Sequence, residues 1–112
     1  MATKRIQILG SLNRTSARIA YVDLPSANWQ IDDYTGAYYQ IVEIEGVTEN
    51  SQVDLNPSIK QLVAFYDKDL GFVTENDGGE VRVYAIGQKP ANDYTIQVTI
   101  TEVEVWVKRL LV

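Results

Sequence analysis

The stretch FVTENDGGEVRVYAI, residues 72–86, predicts the fold class most directly, because it has the composition of two β-strands joined by a tight turn. Valine, threonine, tyrosine and phenylalanine, which favour strands, lie on both sides of Asn76-Asp77-Gly78-Gly79. An Asp-Gly pair between two such runs is the strongest short-range signal for a hairpin, since the favoured turns need positive φ angles. We therefore predict an antiparallel pair of strands here.

Further strands are predicted on both sides of this hairpin. Alternating apolar side chains occur in residues 18–24 and 37–45 before it and in residues 94–107 after it, and a brief strand is expected at residues 53–55. A chain of 112 residues with 46% hydrophobic and 22% charged residues can bury one core. We predict a mainly β protein, an antiparallel β-sandwich of the Ig-like or jelly-roll-like kind.

One segment departs from the β pattern and predicts a single short helix near residues 59–68. Its apolar side chains recur at i, i+3, i+4 and i+7, the spacing of one helix face: Ile59, Leu62, Val63 and Tyr66. Ser58 is a suitable N-cap and Gly71 a suitable stop. We expect this helix to pack through that face on a sheet edge or across one opening of the sandwich.

Core-forming side chains are less frequent in the first part of the chain than in the rest. Residues 1–28 have fewer of them, and we predict an extended N-terminal arm with short strands. Residues 29–112 are predicted to form a single β-sandwich domain with a long C-terminal strand.

That C-terminal strand changes phase. Apolar side chains occupy even positions up to Ile100 and odd positions from Val103 onward. Because side chains alternate strictly along a strand, the change requires either a bulge near Thr101–Glu102 or a second apolar face offered to a partner. The second alternative defines a set of candidate interface residues from both ends of the chain: Ile6, Ile8, Val103, Val105, Trp106, Val107, Leu110 and Leu111.

Catalytic chemistry has little support. The chain has no histidine and no cysteine, which excludes Ser/His/Asp and thiol mechanisms and the usual zinc sites. The acidic turns at residues 67–71 and 75–78 lack the spacing of a helix–loop–helix calcium site. We expect no enzyme activity, no catalytic residue, no cofactor and no metal.

Charge and hydropathy limit the partners. A formal net charge of −5 disfavours nucleic acid, which needs a concentrated basic surface. No apolar run approaches the roughly 18 residues that span a membrane, and the first residues do not resemble a signal peptide. We expect neither nucleic acid nor membrane as a partner.

Four aromatic residues close in sequence provide a second functional hypothesis: Trp29, Tyr34, Tyr38 and Tyr39. Such rings form carbohydrate platforms and protein-binding hot spots, and they also fill β-sandwich cores. A carbohydrate- or receptor-binding module would require the four rings to be exposed together.

Several pieces of the chain form a pattern of strand, glycine turn, helix, hairpin and Lys-Pro turn: Trp29, residues 38–48, Val53-Asp54, Leu62-Val63, residues 81–85, Lys89-Pro90 and residues 94–98. This pattern, over about residues 29–100, resembles a small β-rich domain of virion proteins in tailed bacteriophages and prophages. The resemblance implies a non-enzymatic structural or assembly protein, such as a capsid decoration, head-fibre or tail component. It further implies a homo-oligomer, with a trimer favoured, in contact with other virion proteins such as capsid or tail. The expected location is the virion, assembled in the cytoplasm of the host bacterium.

Overall fold

The computed structural model describes residues 15–103. In chain order this part contains a 3-10 turn at Ser26–Asn28, one α-helix, α1 (Ile59–Asp67), and seven strands: β1 (Thr15–Leu24), β2 (Gln30–Ile31), β3 (Tyr38–Val42), β4 (Ser51–Asn56), β5 (Gly71–Asp77), β6 (Glu80–Ile86) and β7 (Tyr94–Val103).

The strands form two antiparallel sheets that pack face to face. One sheet has the order β1-β7-β4 and the other the order β2-β3-β6-β5. Alternate residues of each strand point inward, so that the core consists mainly of β-branched and aromatic side chains: Val22, Leu24, Trp29, Val42, Val53, Phe65, Val81, Val83, Ile96, Val98 and Ile100. The prediction of a mainly β, antiparallel sandwich with one short helix is confirmed.

The hairpin predicted at residues 72–86 is formed by β5 and β6. Asp77 pairs with Glu80 across a two-residue turn, in which Gly78 and Gly79 have φ angles of +64° and +104°. The Asn76 side chain accepts a hydrogen bond of 2.8 Å from the Gly79 amide. Both glycines are needed because residues with side chains rarely adopt these angles.

The helix begins where the sequence predicts it. The Ser58 hydroxyl accepts a hydrogen bond of 3.1 Å from the Gln61 amide, and the Gln61 side chain accepts one of 3.0 Å from the Ser58 amide. This capping box satisfies backbone donors that the helix itself leaves free. The same Gln61 side chain donates to the Thr95 carbonyl at 2.9 Å and ties the helix to β7.

The packed face of α1 differs from the predicted one. The side chain that enters the core is Phe65, whereas Ile59 remains 76% exposed and Tyr66 85% exposed. The Phe65 ring makes edge-to-face contacts with Phe72 and Tyr94, at centroid distances of 4.9 and 5.0 Å. Aromatic rings bury large areas and favour this geometry, so these contacts determine the rotation of the helix.

The first described strand lies inside the sandwich. Residues 15–24, assigned from the sequence to an N-terminal arm, pair with β7 along ten residues as β1. Val22 and Leu24 of this strand are buried in the core. The rest of the predicted arm before β1, residues 1–14, lies outside the described residues.

No bulge interrupts β7 within the described residues. Its pairing runs without a break to Glu102, opposite Ser16 and Ser51, and to Val103, opposite Thr15. Glu102 takes the inward position that follows Ile100, and its carboxylate accepts hydrogen bonds from Ser51 at 2.5 Å and from Thr48 at 3.2 Å. These hydroxyl groups satisfy a polar side chain in a position that the apolar pattern alone assigns to the core.

Candidate interaction surfaces

The exposed side of α1 carries a group of large apolar side chains. Ile59, Leu62, Val63 and Tyr66, the helix face, are all exposed and lie next to one another at helical spacing. Single exposed apolar residues are common on proteins, but a contiguous group is typical of a binding surface. The helix face is therefore a candidate contact surface.

An apolar groove of about 450 Å³ adjoins the helix face. It lies between α1 and the ends of β4 and β5, and its walls include Leu55, Pro57, Leu62, Tyr66 and Phe72. Its size is within the range of sites that accept a small ligand or a side chain of another protein. The groove therefore enlarges the apolar surface around the helix face.

A second surface lies on the outer side of the four-stranded sheet. The rings of Tyr39 on β3 and Tyr84 on β6 are 5.9 Å apart, and the Arg82 guanidinium lies 5.0 Å from the centre of the Tyr39 ring. Exposed Ile41 and Val73 flank them. Tyrosine and arginine are enriched among interface hot spots, so this surface, the sheet face, is the second candidate.

The electrostatics of the sheet face are centred on Arg82. Its Nε donates to Glu80 at 2.9 Å, and hydrogen bonds to Glu80 and then to Tyr84 raise the pKa of Arg82 above its usual value. The guanidinium is thus a permanent charge with a fixed orientation among aromatic rings. Alternation along β6 could have identified Arg82 and Tyr84 from the sequence, because Val81, Val83 and Ala85 occupy the inward positions.

The four aromatic residues of the proposed carbohydrate platform lie in different environments. Trp29 is only 7% exposed and stacks on Phe72 in the core, and Tyr38 packs against the core. Tyr34 is exposed in the turn between β2 and β3, and Tyr39 lies on the sheet face. The four rings therefore do not form one exposed platform.

One of the eight interface candidates chosen from the sequence lies within the described residues. Val103 is the last residue of β7 and pairs with Thr15. The other seven candidates lie outside the described residues: Ile6, Ile8, Val105, Trp106, Val107, Leu110 and Leu111.

Two carboxylates that stabilise turns have depressed pKa values. The Ser26 amide donates to Asp93 at 2.7 Å and lowers the pKa of that carboxyl, while the Thr35 hydroxyl donates to Asp32 at 2.6 Å and lowers the pKa of Asp32. Both hydrogen bonds hold loop segments in place.

We expect Asp93→Ala to lower stability at neutral pH and to reduce the acid sensitivity of folding. A depressed folded-state pKa stabilises the protein above the unfolded-state value of about 4, and this contribution is lost as the pH falls through the lower folded-state value. Thermal unfolding midpoints from pH 7 to about pH 2.5 provide the measurement. The difference between wild type and variant should shrink in acid, and a constant difference would contradict the assignment.

The described residues contain neither a helix long and apolar enough to cross a membrane nor a group of three or more acidic residues placed to hold a metal ion. The sequence matches no protein-family model, and no curated protein or solved structure is detectably similar to it.

Proposed function

We propose that this chain is a non-enzymatic assembly protein that acts through protein–protein contacts, as a structural component of a tailed bacteriophage particle. The observation that carries the proposal is the helix face, where four large apolar side chains of one amphipathic helix face solvent. Burial of such a surface stabilises association in proportion to the apolar area removed from water. The resemblance of residues 29–100 to virion domains supplies the setting.

The sheet face supports the same class of function. Its Tyr39, Tyr84 and Arg82 side chains are of the types that dominate binding energy at protein interfaces. Arg82 is already oriented by Glu80, so little side-chain freedom would be lost on binding. A structural protein that joins neighbours in a particle needs more than one contact surface, and this sandwich has two candidates.

Placing charged side chains on the apolar helix face tests the proposal. We expect Ile59→Lys combined with Val63→Lys to abolish co-purification with the capsid or tail proteins of the proposed particle, with at least about a 30-fold loss of affinity if these residues are hot spots. Both side chains are exposed, so the free energy of unfolding should change by less than about 0.5 kcal/mol. Light scattering of the co-expressed proteins gives the mass of each complex.

Tyr34→Lys is the matched control, because it also replaces an exposed apolar side chain but lies in the turn between β2 and β3. It should leave the complexes intact. A wild-type chain that remains monomeric at micromolar concentration, both alone and with those virion proteins, would overturn the proposal.

A further inference from the structure

The longest strand edge available for pairing belongs to β1. In the sheet of order β1-β7-β4, β1 has a neighbour only on its β7 side among the described strands. Alternate N–H and C=O groups along its ten residues therefore point away from the sheet. Such an edge is a template for another strand.

The other edges of the described sheets are short or closed. The free edges of β4 and β5 face each other, where the Ser51 carbonyl accepts a hydrogen bond of 2.7 Å from Asn76 and the Val53 carbonyl accepts one of 2.5 Å from Thr74. The remaining edge strand, β2, has two residues. Within residues 15–103, β1 is thus the one long edge that no neighbouring side chain closes in this way.

The sequence of β1 has only part of the usual protection of an edge strand. It contains neither proline nor lysine, and its pairing with β7 has no bulge. Its one inward-pointing charge is Arg18, which pairs with Ile100 and donates a hydrogen bond of 2.6 Å to the Glu45 carbonyl. On the outer face, Ile19 and Tyr21 are 62% and 67% exposed.

A second copy of the chain can pair with this edge in a register that matches the side chains of β1. Residues directly opposite each other in an antiparallel pair point to the same side of the sheet. In a symmetric pair of β1 strands, inner residues therefore lie opposite inner residues, and outer opposite outer, only if the two-fold axis passes through a residue position. With the axis at Ala20, Ile19 lies opposite Tyr21 of the partner subunit and Tyr21 opposite Ile19 of the partner subunit. This register forms two pairs of a β-branched and an aromatic residue, which stabilise adjacent strands.

Charge and strand length favour the same register. With the axis at Ala20, residues 16–24 of both copies are paired, which is almost the whole of β1. Arg18 then lies opposite Val22 of the partner subunit and Asp23 opposite Ala17 of the partner subunit, so that no like charges face each other. An axis at Arg18 would instead place two guanidinium groups together.

We propose that two copies of this chain pair through β1 in the register centred on Ala20, so that their three-stranded sheets join into one continuous sheet of six strands. A contact of this kind closes at two copies, and it therefore predicts a dimer instead of the trimer that the resemblance favours. The inference rests on the proposed function only in that both concern assembly, since the helix face lies on a different element.

Cysteine cross-linking tests the register, because the chain has no cysteine of its own. In the proposed pair, residue 19 of one copy lies opposite residue 21 of the other at a distance that a disulfide spans. Residue 19 lies about 8 Å from residue 19 of the other copy, which is too far. Mixed Ile19→Cys and Tyr21→Cys proteins should therefore cross-link under mild oxidation, while each variant alone should not exceed the background of the exposed Tyr34→Cys control.

Cross-linking of Ile19→Cys with itself, or no cross-link in the mixture, overturns the proposal. An independent measurement is the mass of the full chain by light scattering. Wild type should be a dimer, and Ile19→Lys combined with Tyr21→Lys should raise its dissociation constant at least about tenfold. At a concentration low enough for both proteins to be monomeric, their unfolding midpoints should be the same. A wild-type monomer, as expected if residues 1–14 of the same chain covered β1, also overturns the proposal.

The two proposals can fail separately. The variants of the helix face should leave the cross-link between positions 19 and 21 unchanged. A cross-linked dimer that never co-purifies with virion proteins would refute the proposed function and leave the β1 pairing intact. Co-purification without the cross-link would refute the β1 pairing and leave the proposed function intact.

Discussion

Phe65→Ala is expected to lower the free energy of unfolding by about 3–5 kcal/mol, because it removes a buried ring and leaves a cavity. Phe65 is the one core residue of α1, and its ring contacts Phe72 on β5 and Tyr94 on β7. The substitution thus removes the aromatic contacts of the helix with both sheets, while the hydrogen bond from Gln61 to β7 remains. Urea denaturation followed by tryptophan fluorescence measures the loss, since Trp29 stacks on Phe72.

Tyr66→Ala is the matched control for this prediction. It removes an aromatic ring from the next residue of the same helix, but the Tyr66 side chain is exposed. We expect a change within about 0.5 kcal/mol. Equal losses for Phe65→Ala and Tyr66→Ala would show that α1 packs through the face predicted from its periodicity and would remove the basis for the proposed contact surface.

Gly87→Ala is expected to destabilise the protein by about 3 kcal/mol or more. Gly87 follows β6 with a φ angle of +107°, and a Cβ atom at this position would lie 2.1 Å from the Asp69 carbonyl oxygen. The end of α1 and the end of β6 approach each other here, and the Gln88 side chain also donates to the Lys68 carbonyl. A methyl group would force these two backbone segments apart, in addition to the strain of a positive φ angle.

Gly36→Ala separates those two causes. Gly36 has a φ angle of +80°, but a Cβ atom there would meet no atom within 4 Å. We expect only the conformational cost, about 1–2 kcal/mol. If both substitutions cost the same in urea denaturation, the close approach at Gly87 would not contribute to stability.

The candidate surfaces were only partly predictable from the sequence. The amphipathic pattern of residues 59–66 identified the four residues of the helix face, but it assigned them to the interior. The periodicity shows which side chains share a face, whereas the face that packs depends on the partners available. Here those partners are Phe72 and Tyr94, and Tyr94 lies 29 residues from Phe65, so no local pattern reports the contact.

The sheet face and the aromatic residues illustrate the same limit. Tyr39 was chosen from the sequence as a neighbour of Trp29 and Tyr38, but its spatial partners are Tyr84 and Arg82 of β6. The pairing of β3 with β6 brings them together across about 45 residues of chain. The prediction therefore grouped rings because they are close in sequence, although the sandwich places them on opposite sides of one sheet.

The sequence by itself determined the local structure: the hairpin with its two glycines, the helix with its capping box and the alternation of β3, β6 and β7. These features follow from backbone angles, hydrogen bonds and side-chain periodicity within a few residues. Only the tertiary structure decided that Phe65 enters the core, that Glu102 takes an inward position beside Ser51, and that β1 joins the sandwich as an edge strand. Each of these outcomes depends on a competition for burial among residues far apart in the chain. Among residues 15–103, that competition also leaves the helix face exposed and the outer edge of β1 without a neighbouring strand.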